Sequence, residues 1–129
     1  MKSYRELLVW QKAMDLVAES YRVAGSLPRS ETYGLKSQIQ RAAVSIPANI
    51  AEGHGREHLG DYLHHLSIAS GSVAELETHF LVAERLSLLA KDEITRALGG
   101  FGRGWQNAGG AHQKPPAESA DTWHLTPST

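Results

Sequence analysis

His58, His65, Ser72 and His79 recur every seven residues in this chain, with Asp61 and Glu75 among them on the same flank. Imidazole and carboxylate together suit a metal ion, so their spacing is the first thing to test. At 1.5 Å per residue along a helix, His58 and His65 stand about 10 Å apart, too far to share one ion. Only Asp61 with His65 and Glu75 with His79, each four residues apart, can offer two ligands. A di-metal bundle needs a Glu-x-x-His motif on two helices and a further Glu on two others. Asp61 and His64 have that spacing once, with the shorter acid. Metal binding is therefore not expected, and these histidines are expected at the surface.

Nucleophilic and nucleotide chemistry find no better footing. Ser45 and Ser72 have no identifiable base partner, and a serine within a helix usually packs or caps. No glycine loop runs into Lys-Ser/Thr to cradle a phosphate, and no dinucleotide fingerprint follows a strand. We expect no enzymatic activity, no catalytic residue, no cofactor and no small-molecule substrate.

The 129 residues suffice for one domain with its own core. A formal net charge of −1 gives no overall attraction to nucleic acid or anionic lipid, and the absence of cysteine excludes disulfides and thiolate metal sites. No apolar run approaches the ~18 residues of a membrane span, and the start MKSYRELLVW turns polar too soon for a secretory signal. A cytoplasmic protein without membrane contact is the expectation.

Four helices can be read from apolar residues at alternating steps of three and four. The first, over 5–26, carries Leu7, Trp10, Met14, Val17, Tyr21 and Ala24, and stops before Pro28. A second stripe on it, Val9, Ala13, Leu16 and Val23, lies about 110° round, taking ~100° per residue. That stripe can fill a broad core or pack on another subunit. The second helix, over 31–54, starts with Ser30 as N-cap and Glu31 in its first turn. The third, over 58–88, repeats Leu59, Tyr62, Leu66, Ala69, Val73, Leu76, Phe80 and Ala83. The fourth, over 91–108, carries Ile94, Leu98, Phe101 and Trp105 among glycines. Short loops between them imply an all-α, antiparallel up-and-down four-helix bundle over 1–110. Residues 111–129, with Pro115–Pro116 and a Ser/Thr-rich end, are expected to be a flexible tail.

The second helix holds the most distinctive stretch, QIQRAAVSIPANIAEGHGR from Gln38 to Arg56. Leu35, Ile39, Ala42, Ile46 and Asn49 fall on one seam, so Asn49 stands where an apolar residue would be more stable. A polar residue in such a seam weakens packing but fixes register or partner number. Pro47 removes the hydrogen bond to the Ala43 carbonyl and crowds it, at a cost of ~3 kcal/mol if unrelieved. The helix should kink there, or restart with Ser45 as a cap.

The run SIPANIAEG (45–53) with Gly55–Arg56 after it, GSVAELET (71–78) downstream and Trp10 upstream, resembles the bacterial four-helix-bundle proteins associated with intervening sequences in 23S ribosomal RNA genes. The resemblance runs from Tyr4 to about Leu98 and departs from the family pattern in the glycine-dense stretch beyond. It implies a bundle assembled into a ring, commonly a homopentamer, with no enzymatic activity assigned. A related branch, the accessory variability determinants of diversity-generating retroelements, implies partners that include a reverse transcriptase and nucleic acid. Carried over by position, the motifs cover Ser45, Ile46, Pro47, Asn49, Glu52, Gly53, Arg56, Gly71, Ser72, Glu75, Leu76 and Glu77. We expect Ser45, Asn49, Glu52 and Arg56 to make polar interface contacts, with Gly71, Ser72 and Glu75 facing them or another subunit. The small residues Gly71 and Ser72 would let a helix approach closely.

The expected role is an interaction scaffold whose partner is first of all itself. The alternative is an RNA- or DNA-binding accessory protein using Arg29, Lys36, Arg41 and Arg56. Residues 1–98 carry eleven Lys and Arg against twelve Asp and Glu, so any basic patch would have to be local.

Overall fold

The computed structural model describes residues 3–101 together with 104 and 105. Four α-helices and two short 3₁₀ turns form these residues: α1 (Leu8–Ala24), α2 (Leu35–His54), α3 (Leu59–Arg85) and α4 (Lys91–Leu98). There is no strand among them, and the architecture is an all-α four-helix bundle.

The expected first helix is two pieces. Tyr4–Glu6 is a 3₁₀ turn, started by the Ser3 hydroxyl accepting the Arg5 N–H at 3.1 Å. Leu7 is extended (φ −70°, ψ 124°) and wholly buried, so the break lets its side chain enter the core before α1 begins. At the other end the chain leaves α1 at Gly25, earlier than Pro28 alone suggests, and Pro28 opens a second 3₁₀ turn, Arg29–Glu31. Ser30 lies inside that turn and does not cap α2. Gly34 is the N-cap, and the Glu31 carboxylate accepts the Leu35 N–H at 3.1 Å, taking one of the orphan amides of the first turn.

Helix α2 runs unbroken through Pro47, so no restart occurs and Ser45 lies mid-helix. Ile39, Ala42, Ala43, Ile46, Pro47, Ile50 and Gly53 are all buried on it. That arc is wide because α2 packs on α1 along one side and α3 along the other, while α4 closes the bundle mainly against α1.

On α1 the two stripes exchange roles. Ala13, Leu16, Ser20, Val23 and Ala24 are buried, whereas Met14 and Tyr21 are each 44% exposed and Trp10 and Val17 are only partly covered. The buried side is the one rich in small residues. Alanine and serine bring α1 close to α2, where a row of Trp, Met and Tyr would hold the axes apart. Trp10 instead rests edge-on against Tyr4, with ring centroids 5.2 Å apart.

Helix α3 stops at Arg85, shorter than 58–88, in a Schellman turn: Leu88 N–H bonds the Ala83 carbonyl at 2.8 Å and Ser87 N–H the Glu84 carbonyl at 2.9 Å. Ser87 sits at φ 61°, the left-handed position that glycine usually fills. In α4, Glu93 reaches back to the Ala90 N–H at 3.4 Å, and the helix ends at Gly99, φ 57°. The expected continuous fourth helix over 91–108 is therefore interrupted after Leu98. Phe101 and Trp105 are helical again beyond the break and both are buried, their rings stacked with centroids 5.9 Å apart. The indole N–H of Trp105 donates to Ser70 Oγ at 3.2 Å, fastening this end to α3. Residues 106–108 and the expected tail, 111–129, lie outside the described residues.

Candidate interaction face on the second and third helices

Helices α2 and α3 fold back on one another about the Gly55 turn. The Ser45 side chain therefore meets Ser72, and Asn49 meets His65. The close fit near the turn comes from Gly53. A Cβ there would stand 3.1 Å from His65 Cβ and 3.3 Å from the Tyr62 carbonyl, so any side chain at this position would push the helices apart by a few tenths of an ångström. Burial beside it pushes the Tyr62 phenol up to about 12.

A run of polar contacts lies along one edge of the pair. Asn49 Nδ2 donates to both the Ser45 carbonyl at 2.9 Å and Ser45 Oγ at 3.1 Å. With its amide hydrogens so placed, Asn49 Oδ1 faces His65 Nδ1 at 3.1 Å as an acceptor, which puts a hydrogen on that imidazole nitrogen. His65 Nε2 lies 3.6 Å from Glu52 Oε2, and the same carboxylate oxygen takes Arg56 Nη2 at 2.9 Å. At the other end Ser72 Oγ donates to Ser45 Oγ at 2.8 Å. Four of the expected contact residues, Ser45, Asn49, Glu52 and Arg56, thus lie along one run, and Ser72 joins it from α3.

Beside this run is an open groove of about 460 Å³, lined by Gln38, Arg41, Ala42 and Ser45 from α2 and by Ser72 and Glu75 from α3. Ser72 is 8% exposed, while Gln38, Arg41 and Glu75 stand out in solvent. Glu75 also bonds His79 Nε2 at 3.3 Å.

Gly71 does not serve the close approach expected of it within the chain. It is exposed, and a Cβ on it would meet nothing within 4 Å. It lies on the outward side of α3, one position round from Ser72. The residues expected to touch nucleic acid are likewise not gathered. Lys36 and Arg56 are separated by about 30 Å along α2 and its exit, taking 1.5 Å per residue. Arg56 is engaged by Glu52, and Arg29 sits in the turn before α2. Arg41 alone of the four lines the groove.

Two participants escaped the sequence. His65 stood out only as a metal candidate, and Gln38 not at all. A signal for His65 was available: folding an antiparallel hairpin about residue 57 places 65 opposite 49. Among the described residues no group of three His, Asp or Glu side chains could hold a metal ion, and no helix is long and apolar enough to cross a membrane. Nothing in the site pairs a nucleophile with a free base. Its hydrogen bonds lock one helix to the other.

Residues 5–100 match the family described as 23S rRNA-intervening sequence protein. No curated protein matches the chain.

Proposed function

The chain belongs to the 23S rRNA-intervening sequence protein family, and from that premise we propose that it acts without enzymatic chemistry, as a bundle that assembles with copies of itself and offers a face to a macromolecular partner. The observation that carries assembly is the outer strip of α1. Trp10, Met14, Val17 and Tyr21 lie in register over about 16 Å of helix and remain partly or largely uncovered. Single exposed apolar residues are ordinary on a protein surface, but Met14 and Tyr21, continuous with the half-covered Trp10 and Val17, make one apolar stripe, and this supports reading it as a packing face. A second apolar area, Leu81, Val82 and Leu86 at 58%, 40% and 57% exposure, lies near the C-terminal end of α3. Two unlike areas on one protomer suit head-to-tail contacts, which close into a ring when the rotation permits.

The ring proposed is a homopentamer in the cytoplasm, with α2 and α3 supplying the polar face. Native mass spectrometry tests this directly. A single oligomeric species, five chains in number, is the expected result, and a monomer at tens of micromolar would sink the assembly reading.

A second reading, RNA or DNA binding, is favoured by Arg29 and Arg41, which are exposed and make no ion pair among the described residues. Filter binding at low salt should then show retention that falls steeply with added salt and drops in an Arg29→Ser, Arg41→Ser double variant. No retention of RNA or DNA at low salt would remove this reading.

A further inference from the structure

The groove over Ser45 and Ser72 has a hydrogen left over. Ser45 Oγ accepts from Asn49 and shares one hydroxyl hydrogen with Ser72. Ser72 gives its hydroxyl hydrogen to Ser45, and the Ser45 hydroxyl hydrogen then has no acceptor among the described residues. It is carried by Ser45, which is half-buried and lines the groove beside the more deeply buried Ser72. Above it stand Arg41 on one wall and Glu75 on the other, with Gln38 at the end.

These charges select the occupant. A phosphate or carboxylate would gain from Arg41 and lose to Glu75, and an ammonium group would do the reverse. A neutral group that both accepts and donates gains on both walls. A peptide group does this: its carbonyl can take the serine hydroxyl or the guanidinium, and its N–H can bond the Glu75 carboxylate. From Gln38 to Ser45 the wall is about 10 Å long at 1.5 Å per residue, the reach of about three residues of extended chain.

We propose that this groove is a slot for a short extended segment of a partner protein, held through its backbone amides rather than by its side chains. The proposal rests on the interaction-module reading above and names the partner's chemistry. It does not require the ring, because every lining residue comes from one protomer.

The test is an NMR titration of the full-length ¹⁵N-labelled protein with N-acetyl-triglycine amide, with inorganic phosphate in a parallel series. The peptide should give saturable shifts confined to the amides around Gln38, Arg41, Ser45, Ser72 and Glu75. A Ser45→Ala, Ser72→Ala double variant, which removes the spare hydrogen and keeps two good helix formers, should bind roughly fivefold more weakly while its helical circular dichroism is unchanged. Absent or scattered shifts would overturn the proposal, as would equal binding by the double variant. Stronger shifts with phosphate at the same residues would also overturn it and mark an anion site. The subunit number, measured on the same samples, reports on assembly separately, so failure of either reading is visible alone.

Discussion

The seam between α2 and α3 and the outer strip of α1 are built on opposite terms. Along the seam, side chains that water could have served are turned inward and partnered: Asn49 holds Ser45 and His65, and Ser72 holds Ser45. Along the strip, side chains that water serves badly are left outside: Met14 and Tyr21 are each 44% exposed, beside Trp10 and Val17, which the core covers in part. The first arrangement is made within one chain and sets the register of a hairpin. The second leaves apolar surface in solvent, and under the assembly proposal a second copy covers it. A seam change should therefore act on folding, and a strip change on association.

The largest effect is expected where the seam is tightest. Gly53→Val pushes a branched side chain into His65 and the Tyr62 carbonyl, and chemical denaturation should show a loss of about 2–3 kcal/mol. Next comes Asn49→Ala, which leaves the Ser45 hydroxyl and His65 short of partners and should cost about 2 kcal/mol by the same measurement. The contrasting glycine reverses the sign. Gly71→Ala places its methyl in open space and should raise the stability of the protomer by about 0.5–1 kcal/mol. A loss there would mean that Gly71 is packed against something outside the chain.

The smallest effect concerns the alkaline limit. Burial raises the Tyr62 phenol from its ordinary 10 to about 12 in the folded chain. The unfolded chain ionises first, so stability is intact below pH 10 and declines as the pH rises towards 12. Melting curves across that range should fall more steeply for the wild type than for Tyr62→Phe. Equal slopes would show that the phenol is as free to ionise in the fold as out of it.

Much of the seam could be read from residue spacing. Ile39, Ala42 and Ile46 repeat at three and four, and all are buried on α2 with Asn49 at the end of the row. On α1 the same rule offered two apolar stripes and no way to choose between them. The choice fell to size, since Ala13, Ser20 and Ala24 permit a close helix contact and the aromatic row does not. Helix starts were misjudged where a side chain acted from a distance: Glu31 reaches over Gly34 to cap α2, a service that Ser30 was expected to provide. Pairing across the hairpin was the least legible feature, because the His65–Asn49 bond spans sixteen residues and depends on where the turn falls.

The central claim is that the strip on α1 is an assembly face. It is tested most directly by light scattering after size exclusion on the wild type and on a Met14→Glu, Tyr21→Glu variant, with their melting curves alongside. The account predicts a wild-type mass of about five times the 14.1 kDa chain, and a variant of far smaller mass whose fold loses no more than about 0.5 kcal/mol. A wild type that elutes as a monomer, or a variant that keeps the full assembly, would contradict it.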